Sequence, residues 1–134
     1  MATECVYATS GGEIDFLVAR EGVLSRLAAV DPGDRHESKR RRHARIEKVK
    51  SISLNDLLAR SAAPGRIDFL SLDTEGSEFA ILQAVDFGRW DIRAIAVKHN
   101  FTPARERILD LLTANGFRRK WPEFTCFDDW YVRR

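Results

Sequence analysis

"RIDFLSLDTEGSEFAIL", residues 66–82, decides how this chain is read. Its apolar run, Ile67 to Leu72, is interrupted only by Asp68 and Ser71 and stops at Asp73. Such a run is the pattern of a strand buried in a parallel sheet. Two more carboxylates, Glu75 and Glu78, follow around Gly76, a residue suited to a tight turn. The apolar pattern then resumes as Phe79, Leu82 and Val85, spaced three apart, which puts them on one helix face. The three acids therefore stand at the carboxyl end of a strand, where open α/β sheets bind their ligands.

A second buried strand is read in "IRAIAVKHN", residues 92–100, ending in Lys98, His99 and Asn100. If the two strands are parallel neighbours, their tips lie side by side. Asp73, Glu75, Glu78, His99 and Asn100 then share one pocket. Close carboxylates repel unless a positive group or water sits among them. Histidine has the unperturbed pKa best suited to a base near neutrality. Asp73, Glu75 and His99 are thus the candidate catalytic residues, and Glu78 and Asn100 the candidate substrate-binding ones. The same acids have a plainer reading. Asp73 can cap the helix, and Glu75 and Glu78 can stabilise its first turn by about 0.3–1 kcal/mol each. Glu78, furthest into the helix, fits that reading best. His99 alone is the pattern of a surface or capping histidine.

Working outward, Thr102-Pro103 opens a helix with Ile108, Leu111 and Leu112 on its apolar face, and Asn115-Gly116 closes it. The tail reads as two strands around Pro122, an antiparallel hairpin. Upstream, "VKSISLNDLL" is a short strand running into a helix, with Ser53 as N-cap and Asp56 three residues on. That helix ends before Pro64-Gly65. Residues 5–7 and 14–18 are β-rich, and Ser10-Gly11-Gly12 between them predicts a hairpin. Residues 31–45, "DPGDRHESKRRRHAR", read as a basic surface loop. Strands alternating with helices in the second half imply an α/β fold with a parallel sheet.

The 134 residues suit one domain with an ordinary core. A net charge of +2 does not by itself imply a polyanionic partner. The basic stretch 39–42, with Trp121 and Trp130 as stacking candidates, raises a nucleic acid alternative. We read the stretch as a solvated loop and the tryptophans as core residues instead. Cys5 and Cys126 stand at opposite ends of the chain with no metal or disulfide spacing, which suits a reduced, cytoplasmic setting. No apolar segment reaches the ~20 residues of a membrane span, and residues 1–10 do not resemble a signal peptide.

"VKSISLNDLL" followed by "RIDFLSLDTEGSEFAIL" resembles the FkbM-type methyltransferases. The family's hallmark is a strand ending in Asp-x-Glu-Gly-x-Glu, here Asp73, Glu75, Gly76 and Glu78. "IRAIAVKHNF" and the closing "GF…W…F…WYV" are also similar to it. The resemblance runs from about residue 49 to 132 and extends more weakly over 5–18. It implies a Rossmann-like seven-stranded sheet, order 3-2-1-4-5-7-6, with residues 66–73 as strand 4, 92–100 as strand 5, the tail hairpin as strands 6 and 7, and 4–8 as strand 3. It also implies S-adenosylmethionine as cofactor and a small-molecule or sugar hydroxyl as acceptor, with Asp73 close to the reaction. The cofactor-binding residues are not identifiable.

Two features depart from the family pattern. Strands 1 and 2 have no counterpart, so the chain is expected to be a partial domain, incomplete at its N-terminus and compromised as an enzyme. Where many relatives carry an acid before His-Asn, this chain has Lys98, whose ammonium is expected to pair with Asp73 or Glu75. By analogy with Mg²⁺-dependent O-methyltransferases, Asp73 and Asn100 could hold a metal, but Lys98 argues against a cation there, and no metal is expected. The alternative function is a non-catalytic remnant or partner-binding subunit. It would form a homo-oligomer through the sheet edge that the missing strands leave bare.

Overall fold

The computed structural model describes residues 4–18, 26–28 and 45–134. The basic loop expected over 31–45 lies outside the described residues, except that Arg45 opens a strand. In chain order the described elements are β1 (Cys5–Tyr7), β2 (Glu13–Val18), β3 (Arg26–Leu27), β4 (Arg45–Ser53), α1 (Leu54–Arg60), β5 (Arg66–Leu72), α2 (Glu78–Gln83), β6 (Asp91–Lys98), α3 (Ala104–Ala114), β7 (Phe117–Lys120) and β8 (Asp128–Arg133). They make a mixed α/β structure with two mixed four-stranded sheets, ordered β1-β4-β2-β3 and β5-β6-β8-β7.

The second sheet positions the site. β5 and β6 are parallel, in register from Arg66↔Asp91 to Leu72↔Val97, so both strands end at the same edge of the molecule. β8 runs antiparallel to β6, with Ala96↔Trp130 and Val97↔Asp129, and β7 pairs with β8 as the expected tail hairpin. Strand side chains alternate between faces. One face carries Leu72, Ile95, Val97 and Tyr131 into a core completed by Ile81 and Leu82 of α2, Ile108 and Leu112 of α3, and Leu54 of α1. Burial of such side chains contributes roughly 1.5–3 kcal/mol each, which holds the helices to this face.

The helix boundaries follow local chemistry. Ser53 caps α1: its hydroxyl accepts from the backbone N–H of Asp56 at 3.1 Å. α3 begins one residue after Pro103, and Gly116 follows its C-cap with φ +83°, a left-handed conformation that glycine adopts without steric cost.

Three expectations are corrected. Residues 5–7 and 14–18 do not form a hairpin, because β4 lies between β1 and β2. β1 pairs in parallel with residues 51–53 of β4, and β2 pairs antiparallel with residues 45–50. A nine-residue strand has two edges and enough length to take both partners, and Gly11 and Gly12 bond to Ser51 rather than closing a tight turn. β5 is parallel as expected but not buried on both faces. Its second face carries Phe69, 50% exposed and stacked on Trp130 at 5.7 Å. Trp121 and Trp130 are accordingly exposed rather than core residues; Trp90 is the buried tryptophan. Among the described residues no helix is long and apolar enough to cross a membrane.

Candidate functional site

The parallel register of β5 and β6 delivers Asp73 and Lys98 to one sheet end, each just at or past its strand's last residue. Lys98 Nζ lies 3.0 Å from Asp73 Oδ1 and also donates to the Glu75 carboxylate. The repulsion inherent in the acid cluster is thereby relieved by a cation from the next strand. Burial pulls the Lys98 pKa down, but the hydrogen bonds and charges of Glu75 and Asp73 outweigh it and leave it raised. Lys98 is therefore an ammonium, bridging an exposed carboxylate, Asp73, and a buried one, Glu75.

Glu78 does different work. It is buried at the start of α2, and its carboxylate turns back to accept from the backbone N–H of Thr74 at 2.7 Å and of Gly76 at 3.0 Å. Ser77, the N-cap, makes no side-chain cap bond; its hydroxyl donates to the Thr74 hydroxyl at 2.8 Å. Asp73 is not the cap. The turn that Glu78 ties down contains Glu75 at φ +57° and Gly76 at φ +117°. In the loop after β6, Asn100 and Phe101 also have positive φ, +45° and +58°. Left-handed non-glycine residues cost of order 1–3 kcal/mol each and persist only where the surroundings enforce them. Two such loops meet at this sheet end.

His99 is buried, and one of its nitrogens is held by a backbone hydrogen bond. Nδ1 accepts from the Phe101 backbone N–H at 3.0 Å, which places the ring proton on Nε2. Nε2 is buried, 3.9 Å from Asp129 Oδ1, and has no hydrogen-bond partner among the described residues. Burial first, and then the Arg105 charge, push the His99 pKa down against the pull of Asp129, so the ring is neutral. As placed, His99 offers no free lone pair to an acceptor hydroxyl.

Beneath it lies a cluster that sequence reading missed. Asp129, 1% exposed, receives both arms of the Arg105 guanidinium at 2.8 Å, with Arg119 at 3.4 Å and the Tyr131 hydroxyl at 3.5 Å. Burial pushes the Asp129 carboxyl up, but Arg105 prevails and holds it below the ordinary carboxylate range. The available signal was parity: Asp129 and Tyr131 alternate onto the core face of β8, so a charged residue there requires a partner.

A cavity of about 380 Å³ opens between the β6 tip and the starts of α2 and α3. Its lining includes Glu78, Phe79, Lys98, His99, Asn100 and Arg107. Of the residues expected to share a pocket, Glu78, His99 and Asn100 do so. Asp73 and Glu75 stand beside it, tied to the lining through Lys98. Among the described residues no group of three or more His, Cys, Asp or Glu is placed to hold a metal ion.

The family profile described as the methyltransferase FkbM domain matches residues 4–119. No curated protein and no solved structure matches the chain. The matched span holds β5 and its acidic tip, β6 with Lys98, His99 and Asn100, and the three described helices. By that match, the chain belongs to the FkbM methyltransferase domain family.

Proposed function

We propose that this domain O-methylates a small-molecule or sugar hydroxyl, with S-adenosylmethionine as the methyl donor. The observation that carries the reading is the Asp73 carboxylate, 58% exposed at a parallel strand tip, anchored by Lys98 beside a cavity in a chain of this family. The strand order β5-β6-β8-β7 supports the Rossmann-like arrangement, being the relative order implied for strands 4, 5, 7 and 6.

The tip fits the charged end of such a cofactor in one respect: Asp73 is an accessible carboxylate that can face a cationic group. S-adenosylmethionine, when bound, supplies an electrophilic methyl whose bond to sulfur breaks as a bond to the acceptor oxygen forms. Asp73 accepts the hydrogen bond of the acceptor hydroxyl and takes up its proton, directly or through water. Lys98, 3.0 Å away, fixes the position of the Asp73 carboxylate. Asn100 offers a side-chain amide to a second hydroxyl. His99 is a positioning residue: by accepting from Phe101 N–H it holds the strained loop that presents Asn100. Alignment of this kind supplies up to ~7–11 kcal/mol of a bimolecular barrier.

A second reading, a non-catalytic partner-binding subunit, is favoured by one observation. Among the described residues no glycine-rich turn leads from a buried strand into a helix to approach the cofactor's phosphate-free ribose and methionine ends; Gly11 and Gly12 bond to Ser51 between two strands. That reading expects self-association along β5, which has one strand neighbour among the described residues. Titration calorimetry with S-adenosylmethionine separates the two. Stoichiometric binding supports the enzyme; a chain that binds none but dimerises in light scattering supports the subunit.

A further inference from the structure

The cavity lining carries three formal charges, and two are already engaged. Lys98 is neutralised by Asp73 and Glu75. The Glu78 carboxylate is taken by the backbone N–H groups of Thr74 and Gly76. The third, Arg107, makes no ion pair among the described residues. Its guanidinium lies over the Phe79 ring, 3.8 Å from the centroid. Stacking engages the face of the fork and leaves its N–H edges open. Arg107 sits one helical turn beyond Pro103, at which no side-chain cap bond is made, so α3 also turns its uncapped first turn towards this cavity. The apolar part of the lining is Phe79, Ala80, Pro103, Ala104 and Ile108.

We infer that the cavity takes an organic anion of monosaccharide size, its carboxylate or phosphate held by the Arg107 fork and its body resting against Phe79 and Pro103. About 380 Å³ is at the small end of the range for ligand pockets. The fork of an arginine matches two oxygens of one anionic group, and the recognition is local to that fork, since Lys98 and Arg107 together face three carboxylates at this sheet end, Asp73, Glu75 and Glu78. The inference rests on the methyltransferase reading in one respect: it makes that anion the acceptor, so the methylated hydroxyl belongs to a sugar acid or sugar phosphate rather than to a neutral sugar.

Calorimetry on the whole chain with glucuronate, glucose 6-phosphate and glucose tests this. The expected result is that at least one of the two anions binds roughly ten-fold or more tighter than glucose. The stronger of the two identifies carboxylate or phosphate as the recognised group. Arg107→Gln should remove that advantage, and Arg107→Lys should keep part of it, since the charge remains and the fork does not. Arg107 is exposed, so both variants should retain the parent circular dichroism. Equal binding of glucose and the anions, no binding of any probe, or an anion affinity unchanged in Arg107→Gln overturns the inference. Cofactor binding is measured in the same samples. A chain that binds anions through Arg107 but no S-adenosylmethionine leaves the anion site standing and overturns the methyl-transfer reading instead.

Discussion

Lys98 donates to the Glu75 carboxylate across the tips of two parallel strands, and the same nitrogen lies 3.0 Å from Asp73. Glu75 is 8% exposed at its side chain and Lys98 21%. Removing the ammonium takes the cross-strand cation away from a nearly buried carboxylate. Lys98→Met should therefore destabilise the fold by about 2 kcal/mol, less than the roughly 3–5 kcal/mol of a fully buried pair. Adding Glu75→Gln should recover part of the loss, which a double-mutant cycle by denaturant unfolding measures. Because the Lys98 pKa is raised in the folded state, its contribution is fully present below the unfolded value of ~10.4 and is lost as pH rises through the folded one.

Asp73→Ala should abolish methyl transfer while changing stability by no more than about 0.5 kcal/mol, because its carboxylate is more than half exposed and Lys98 keeps Glu75. Product formation from methyl-labelled cofactor, beside a thermal melt, reads both effects. An active variant would remove Asp73 from the chemistry.

The His99–Asp129 pair predicts acid sensitivity in two stages. The folded His99 pKa is lowered, so the unfolded chain binds more protons below its ordinary value of ~6.5. Stability should fall as pH drops through that value. Asp129 is depressed, so its contribution is present above ~3.9 and is lost as pH falls through its lower folded value. His99→Asn should flatten the first stage and leave the second, measured as denaturant midpoints from pH 7 down to about pH 2.

Asp129→Asn should be the most damaging conservative change in the tail hairpin. It leaves the Arg105 and Arg119 guanidinium groups facing a neutral amide in a site 1% exposed. A loss of roughly 3 kcal/mol is expected. Chemical denaturation tests it, with Asp128→Asn, an exposed neighbour, as the control.

Glu78→Ala should cost about 1–2 kcal/mol by freeing the N–H groups of Thr74 and Gly76, and Glu78→Gln less, since an amide oxygen remains to accept. Amide exchange at Thr74 and Gly76 should accelerate in Glu78→Ala. Exchange in β5 should hold, because its ladder to β6 is untouched.

Local chemistry made much of this protein legible in advance. The Ser53–Asp56 cap, the helix stop at Asn115-Gly116, the tail hairpin and the parallel β5 and β6 all follow from short-range patterns. So does the gathering of acids and polar residues at one sheet end, because each strand's last residues are set by where its apolar run stops. Glu78, by its position in the first helical turn, was legible as a turn-stabilising acid. Lys98 was legible as a partner for the acids, though the structure gives it two rather than one.

What the sequence alone determined is therefore the kind of each element and the chemistry at its ends, since periods of two and 3.6 and capping bonds act within a few residues. Only the tertiary structure decided which strand lies beside which, leaving β4 between β1 and β2. It also decided that Phe69 and Trp130 stack in exposed positions, that His99 Nδ1 is taken by the Phe101 N–H, and that Arg107 lines the cavity with no ion pair among the described residues. Those outcomes depend on strand pairing and on burial by residues distant in the chain. A buried histidine's lone pair or an arginine's missing partner is a property of its neighbours in space, and no local pattern encodes them.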